Sequence, residues 1–126
     1  MKNNRPTKTI LIAEDEAINR MYLAEILKDK KYRVLEAEDG NQAVECCRNN
    51  PEIDLVLMDV KMPGLNGYQA AEQIRTFRPD LIMILQTAFI SDKSEIEGPE
   101  DLFQDVIEKP IMESRLFEML NAYLSS

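Results

Sequence analysis

The sequence predicts a doubly wound α/β domain: a five-stranded parallel sheet covered by helices on both faces. Three observations carry that prediction. Short apolar runs without hydrophobic alternation recur along the chain, which is how strands buried on both faces read. Longer amphipathic segments separate them, as crossover helices between parallel strands require. The 126 residues, 44% of them hydrophobic, suffice for one core but not for two.

The elements follow in order. Thr9-Ile10-Leu11-Ile12-Ala13 reads as a buried strand, followed by a helix from Ala17 to Lys28. Tyr32 to Ala37 is a second strand, and Asn41 to Arg48 a short helix with Asp39 placed to cap its N-terminus. Asp54-Leu55-Val56-Leu57-Met58 is a third strand, and Gly67 to Arg75 a third helix. Leu81 to Leu85 is a fourth strand, Val106-Ile107 lies in a fifth, and Ser114 to Leu124 closes the domain as a helix. Residues 9–126 form the domain, preceded by a polar, disordered tail over residues 1–8. There is no internal repeat and no linker.

One segment departs from this rhythm. A fourth helix is due between Thr87 and Lys109, but Gly98-Pro99 should stop it and Ile96 is its only strong apolar anchor before Leu102. From Ser91 to Asp105 six acids and one lysine leave a local charge of −5. The fourth helix is expected to be irregular or shortened.

Composition excludes much. With 15 basic and 23 acidic side chains the net charge is −8, a surface that repels the phosphates of nucleic acid. No basic cluster suits an anionic membrane, and apolar runs of about five residues are far short of a membrane span. The N-terminus has no apolar stretch of signal-peptide type, so a cytoplasmic location is expected. Cys46 and Cys47 are adjacent and make no disulfide framework, which favours a reducing compartment. One should face the core and the other be half exposed. The absence of histidine removes Ser-His-Asp and Cys-His nucleophiles and His-rich metal sites. None of the four glycines belongs to a phosphate loop or dinucleotide fingerprint.

In open α/β sheets, ligands bind beyond the carboxyl ends of the strands. Strand one delivers Glu14-Asp15 there, strand three Asp59, strand four Thr87 and strand five Lys109. An isolated Glu-Asp pair after a strand is ordinarily a solvated loop, and a lone Thr or Lys an ordinary strand end. Together at one sheet edge, three carboxylates, a hydroxyl and an ammonium are a chemical constellation. Three like charges need a counter-ion, and an oxygen-only ligand set suits Mg²⁺. Carboxylates attack phosphoryl groups, and the transferred group needs a metal, a lysine and a hydroxyl around its oxygens. Asp59 is the best nucleophile, because it stands alone at the end of a central strand; Glu14 and Asp15 are better placed to hold metal. Glu14-Asp15-Glu16 would repel the phosphate of a flavin-type cofactor.

These residues resemble a known family. Ile10-Leu11-Ile12-Ala13-Glu14-Asp15-Glu16, Leu57-Met58-Asp59-Val60-Lys61-Met62-Pro63 with Gly67, Gln86-Thr87-Ala88 and Glu108-Lys109-Pro110 resemble the response-regulator receiver domain, over about Thr9 to Leu124. The resemblance implies the flavodoxin-like strand order 2-1-3-4-5. It implies two-component signalling, with Asp59 accepting phosphate from a histidine kinase or histidine phosphotransfer protein. It further implies Mg²⁺ on Asp15, Asp59 and the backbone carbonyl of Lys61, with Glu14 assisting through water. Thr87 would bond one phosphoryl oxygen and Lys109 would pair with another, and the Lys109–Pro110 bond would be cis. Asn19-Arg20 is similar to the pair found in receivers of hybrid sensor kinases. Such a domain phosphorylates and dephosphorylates itself but turns over no external substrate, so it is not an enzyme in the usual sense.

Two departures from the family bear on output. Three residues before the lysine the family has Tyr or Phe; here Val106 stands there, and a β-branched aliphatic cannot swing as a ring does. The broken fourth helix lies on a surface many receivers use for output. Phe89, two residues after Thr87, would flank the path of the hydrolytic water and predicts slow dephosphorylation. A pseudo-receiver, docking partners without phosphorylation, is the alternative, and the intact acidic pair, Asp59, Thr87 and Lys109 argue against it. A small phosphohydrolase would need a second acid just after the nucleophile, and Val60-Lys61 supplies none.

Overall fold

The computed structural model describes residues 7–88 and 100–125. Five strands, β1 (Thr9–Ala13), β2 (Arg33–Ala37), β3 (Ile53–Asp59), β4 (Ile82–Thr87) and β5 (Asp105–Glu108), form one sheet in the order β2-β1-β3-β4-β5. Every neighbouring pair is parallel. Among the described residues four α-helices cover it: α1 (Ala17–Asp29), α2 (Gly40–Asn49), α3 (Gly67–Phe77) and α4 (Glu113–Leu124). The doubly wound class is the one the sequence predicts, and the strand order is the one the resemblance implies.

Strand alternation divides the core into two layers. Leu11, Ala13, Val56, Met58, Met83 and Leu85 face Ala43, Val44, Ala70 and Ile74 of α2 and α3. Ile10, Ile12, Leu55, Leu57 and Ile84 face Leu23 and Leu27 of α1 and Leu116 and Leu120 of α4. Each fully buried Leu or Ile contributes about 1.5–3 kcal/mol of transfer free energy. Because β1 and β3 are covered from both sides, their sequences are continuous apolar runs that end abruptly in acids.

Helix starts are set locally. The Asp39 side chain accepts from the Gln42 amide at 2.8 Å, the cap expected from sequence. At α3, Asn66 accepts from the Gln69 amide while Gln69 Oε1 accepts from the Asn66 amide, both at 2.9 Å. This reciprocal box fixes the direction in which α3 leaves β3.

Most boundaries fall within one residue of expectation, while β4 and α3 each run two residues further. The strand β4 runs on through Gln86 and Thr87, both buried although polar. The strand β5 spans four residues, its ladder to β4 running from Ile84–Asp105 to Thr87–Glu108. Helix α3 continues to Phe77 before Pro79 ends it. The expected break at Gly98-Pro99, Ile96 and the acidic run before Glu100 lie outside the described residues, as do residues 1–6 of the expected tail. Glu100–Leu102 form a 3-10 turn leading into β5.

Cys47 is buried and Cys46 half-buried, both as free thiols. Met58 and Met62 are packing residues. No helix among the described residues is long and apolar enough to cross a membrane.

Candidate functional site

Parallel strands deliver their carboxyl ends to one edge, and the residues that follow build the site there. Glu14, Asp15, Asp59, Lys61, Thr87 and Lys109 all line one cleft of about 400 Å³, with Gln86 in its wall. All six sequence-predicted site residues are therefore brought together. Glu14 and Thr87 are buried, Asp59 is 5% exposed, and Asp15 and Lys61 stand exposed at the mouth.

Glu14 is a wholly buried carboxylate, and its hydrogen bonds and ion pair compensate for lost water. Its Oε1 accepts from Asn19 Nδ2 at 2.7 Å and lies 3.2 Å from Lys109 Nζ. Its Oε2 accepts from the Glu16 amide at 3.1 Å. The Arg20 guanidinium donates to the Glu14 carbonyl at 2.7 Å and pairs with Glu36 on β2. Asn19-Arg20, read from sequence as a mark of kinase-linked receivers, thus has a local structural job. Their side chains tie the first turns of α1 to the acidic pair.

Lys109 reaches back from the end of β5 to donate to Asp59 Oδ1 at 3.0 Å. Its peptide bond to Pro110 is cis, as the resemblance implies, and its amide donates to the Thr87 carbonyl at 2.7 Å. Burial and the neighbouring Glu14 charge push the Asp59 carboxyl up to about 7, against the pull of the Lys109 ammonium. Burial works to lower the Lys109 ammonium, but the hydrogen bond and charge of Asp59 and the charge of Glu14 outweigh it and leave it above its ordinary value. Asp59 is held close to a cation yet is short of water, a state that favours any further positive charge in the cleft.

Gly67 controls how close α3 comes to this carboxylate. A Cβ there would stand 2.2 Å from the Asp59 carbonyl oxygen, and the Gly67 amide donates to the Val60 carbonyl at 2.8 Å. Only a residue without a side chain lets the helix start directly behind the end of β3.

One oxygen from each of Glu14, Asp15 and Asp59 lies within 4.8 Å of the others, so the cluster can bind a metal. These are hard oxygen donors with no nitrogen or sulfur among them, a set that fits Mg²⁺.

Sequence reasoning missed Gln86 as a buried polar group, although it stands beside Thr87; it also missed the hold of Asn19 on Glu14. The amide one and a half turns beyond an acidic pair was the only available signal for the second. Val106 is half-buried against the α2–α3 layer. Phe89 lies outside the described residues.

The sequence model of the response regulator receiver domain matches residues 10–121. The transcriptional regulatory protein PdtaR of Mycobacterium tuberculosis is 45% identical over 95 residues, 75% of this chain and 45% of that protein. The chain therefore spans under half of that regulator's length. The chemotaxis protein CheY of Thermotoga maritima is 36% identical over 115 residues, 90% of this chain and 95% of that protein. Among solved structures, the receiver domain of a Pseudomonas aeruginosa sensor histidine kinase superposes with a TM-score of 0.85 at 28% identity. The match covers 95% of this chain and 99% of that one, whose active-site cleft coordinates a magnesium ion.

Proposed function

The chain belongs to the response-regulator receiver family, and from that premise we propose that it is a phosphoacceptor domain whose acceptor is Asp59. The observation that carries this reading is the Asp59 carboxylate itself. It is nearly buried, 3.0 Å from the Lys109 ammonium, and shares its cleft with Thr87 and three further acids, Glu14, Asp15 and Glu16.

The donor is a phosphohistidine on a histidine kinase or histidine phosphotransfer protein. An Asp59 oxygen attacks phosphorus and forms the O–P bond while the N–P bond breaks. That bond's electron pair returns to the imidazole, which ends neutral by taking a proton from solvent. Lys109 neutralises one phosphoryl oxygen and Thr87 donates its hydroxyl to another. Asp15, Asp59, the Lys61 carbonyl and Glu14, the last through water, would hold Mg²⁺. The ion, when bound, neutralises charge on the carboxylates and on the transferring group. Water reverses the modification, so the domain catalyses only its own phosphorylation and dephosphorylation.

A donor must approach the mouth of the cleft. Ile18 on α1 is 84% exposed, Met21 66% and Met112, just beyond Pro110, 63%. The Tyr22 hydroxyl donates to the Ile111 carbonyl at 3.1 Å, joining α1 to that loop. These apolar side chains offer the partner a surface beside Asp15. The receiver unit is taken as residues 9–126, and a cytoplasmic location agrees with the free thiols at Cys46 and Cys47.

Intact-mass measurement after incubation with an acyl phosphate or phosphoramidate and Mg²⁺ tests the reading. One phosphoryl adduct is expected, absent in Asp59→Asn and absent when Mg²⁺ is chelated. An adduct that survives Asp59→Asn would overturn the assignment.

A further inference from the structure

Gln86 is fully buried, yet neither its amide oxygen Oε1 nor its amide nitrogen Nε2 has a hydrogen-bond partner among the described residues. Buried amides are rarely left so, because the unpaired group forfeits its bonds to water.

Its place in the sheet indicates what it awaits. Gln86 on β4 pairs in register with Asp59 on β3 and with Ile107 on β5. Leu57 and Ile84, each two residues earlier, point into the layer under α1 and α4. Alternation therefore puts the Asp59 and Gln86 side chains on that same face, side by side. Lys109, two residues past Ile107, reaches Asp59 only by crossing the strand that carries Gln86. The unpaired amide thus lies beneath the Lys109–Asp59 ion pair, in the wall of the cleft.

We propose that Gln86 is a positioning residue for the phosphorylated state, its Nε2 donating to the Asp59 oxygen that remains a carbonyl once the other is bonded to phosphorus. The proposal rests on the phosphoacceptor reading above. In the resting protein Asp59 takes the Lys109 ammonium as its partner. Once its oxygen is esterified, the negative charge sits on the phosphoryl oxygens and Lys109 follows it. The carbonyl oxygen left behind carries two lone pairs, so it keeps one for a hydrogen bond beside any bound Mg²⁺, and the neutral donor in register with it is Gln86. Hydrolysis undoes this arrangement. Water forms a new O–P bond, the P–O bond to Asp59 breaks, its electron pair restores the carboxylate, and the water's proton passes to solvent. The Gln86 hydrogen bond opposes that return.

Gln86→Met and Gln86→Leu, which keep bulk and remove the amide, test this by two readouts of opposite sign. Replacing an unpaired amide with apolar atoms should raise the melting temperature of the resting, metal-free protein by roughly 2–5 °C. The phosphoryl adduct, followed by intact mass, should be lost about three- to tenfold faster than from the parent chain, the scale of one hydrogen bond. A merely structural glutamine would instead lower the melting temperature in both variants. That result, or an adduct lifetime unchanged or lengthened in both variants, overturns the inference. If the parent chain itself forms no adduct, the phosphoacceptor reading has failed and this one falls with it; a failure of the Gln86 role alone leaves the parent adduct intact.

Discussion

The Lys109 ammonium lies 3.0 Å from Asp59 Oδ1, so the cation suited to an incoming phosphoryl group already holds the carboxylate proposed to accept it. The same ammonium stands 3.2 Å from Glu14. One side chain therefore offsets two buried carboxylates, while Asp15 remains exposed for other partners. The two buried carboxylates share this one group, with Lys61 at the cleft mouth.

Removing that ammonium should cost stability and chemistry together. Lys109→Met leaves Glu14 and Asp59 facing each other with only neutral donors. The lysine side chain is 24% exposed, so the loss is discounted from the full cost of breaking a buried pair to about 2 kcal/mol. Thermal melts in chelator should fall by roughly 5–10 °C. Magnesium should restore part of the loss, and phosphorylation should slow at least about tenfold by intact-mass time course, as for any lost stabiliser of transferring charge.

Gly67→Ala tests the tight start of α3. The added methyl would press on the Asp59 carbonyl at 2.2 Å, and that contact is backbone, which yields little. Destabilisation of about 2–4 kcal/mol is expected in urea titrations, typical of overpacking beside a strand. Because the clash falls on the acceptor residue itself, phosphorylation should slow as well. Asn66→Ala, which removes only the cap of the same helix, should cost about 1 kcal/mol and leave the phosphorylation rate nearly unchanged.

Much of this was legible in the sequence, for physical reasons. Runs such as Thr9–Ala13 and Leu55–Met58 are apolar because both faces are covered, so they announce strands and a parallel sheet at once. Parallel strands then place their carboxyl ends together, which is why Glu14, Asp15, Asp59, Thr87 and Lys109 could be grouped without coordinates. What depends on side-chain reach could not be read. Asn19 meets Glu14 only because of how α1 leaves the sheet, and Gly67 matters only because α3 begins directly behind Asp59. The burial of Gln86 is not legible either, because a polar residue at a strand end commonly faces solvent. Here the strand continues beneath the cleft and buries it.

The two adjacent cysteines should differ sharply in reactivity. Burial, then the neighbouring Cys46, pushes the Cys47 thiol up to about 12, with Arg78 only partly opposing. Burial also raises Cys46, less severely, while its hydrogen bond with Asn50 works the other way. Thiolate is the reactive form, so both alkylate slowly in the native protein and Cys46 reacts first. Iodoacetamide labelling at neutral pH, read by peptide mass, should give one slow adduct at Cys46. The second adduct should need denaturant.

The pH dependence of stability should report Asp59 directly. Its carboxyl titrates near 7 in the folded, metal-free protein against an ordinary 3.8 in the unfolded chain. Between those values the folded state holds a proton that the unfolded state has released. Stability from this group is therefore fully present below about pH 4 and is lost as pH rises through 7, with a slope of at most about 1.4 kcal/mol per unit. The chain contains no histidine, so no imidazole titrates across the same window to obscure it. Urea midpoints in chelator should fall steadily from pH 5 to 7.5 and then level. Asp59→Asn should abolish the slope and make the metal-free protein more stable than the parent at pH 8. Saturating Mg²⁺ should flatten it too, because a cation on the carboxylate does the work of the proton. A slope that persists in Asp59→Asn would show that some other group, not the acceptor, carries the strain of the cleft.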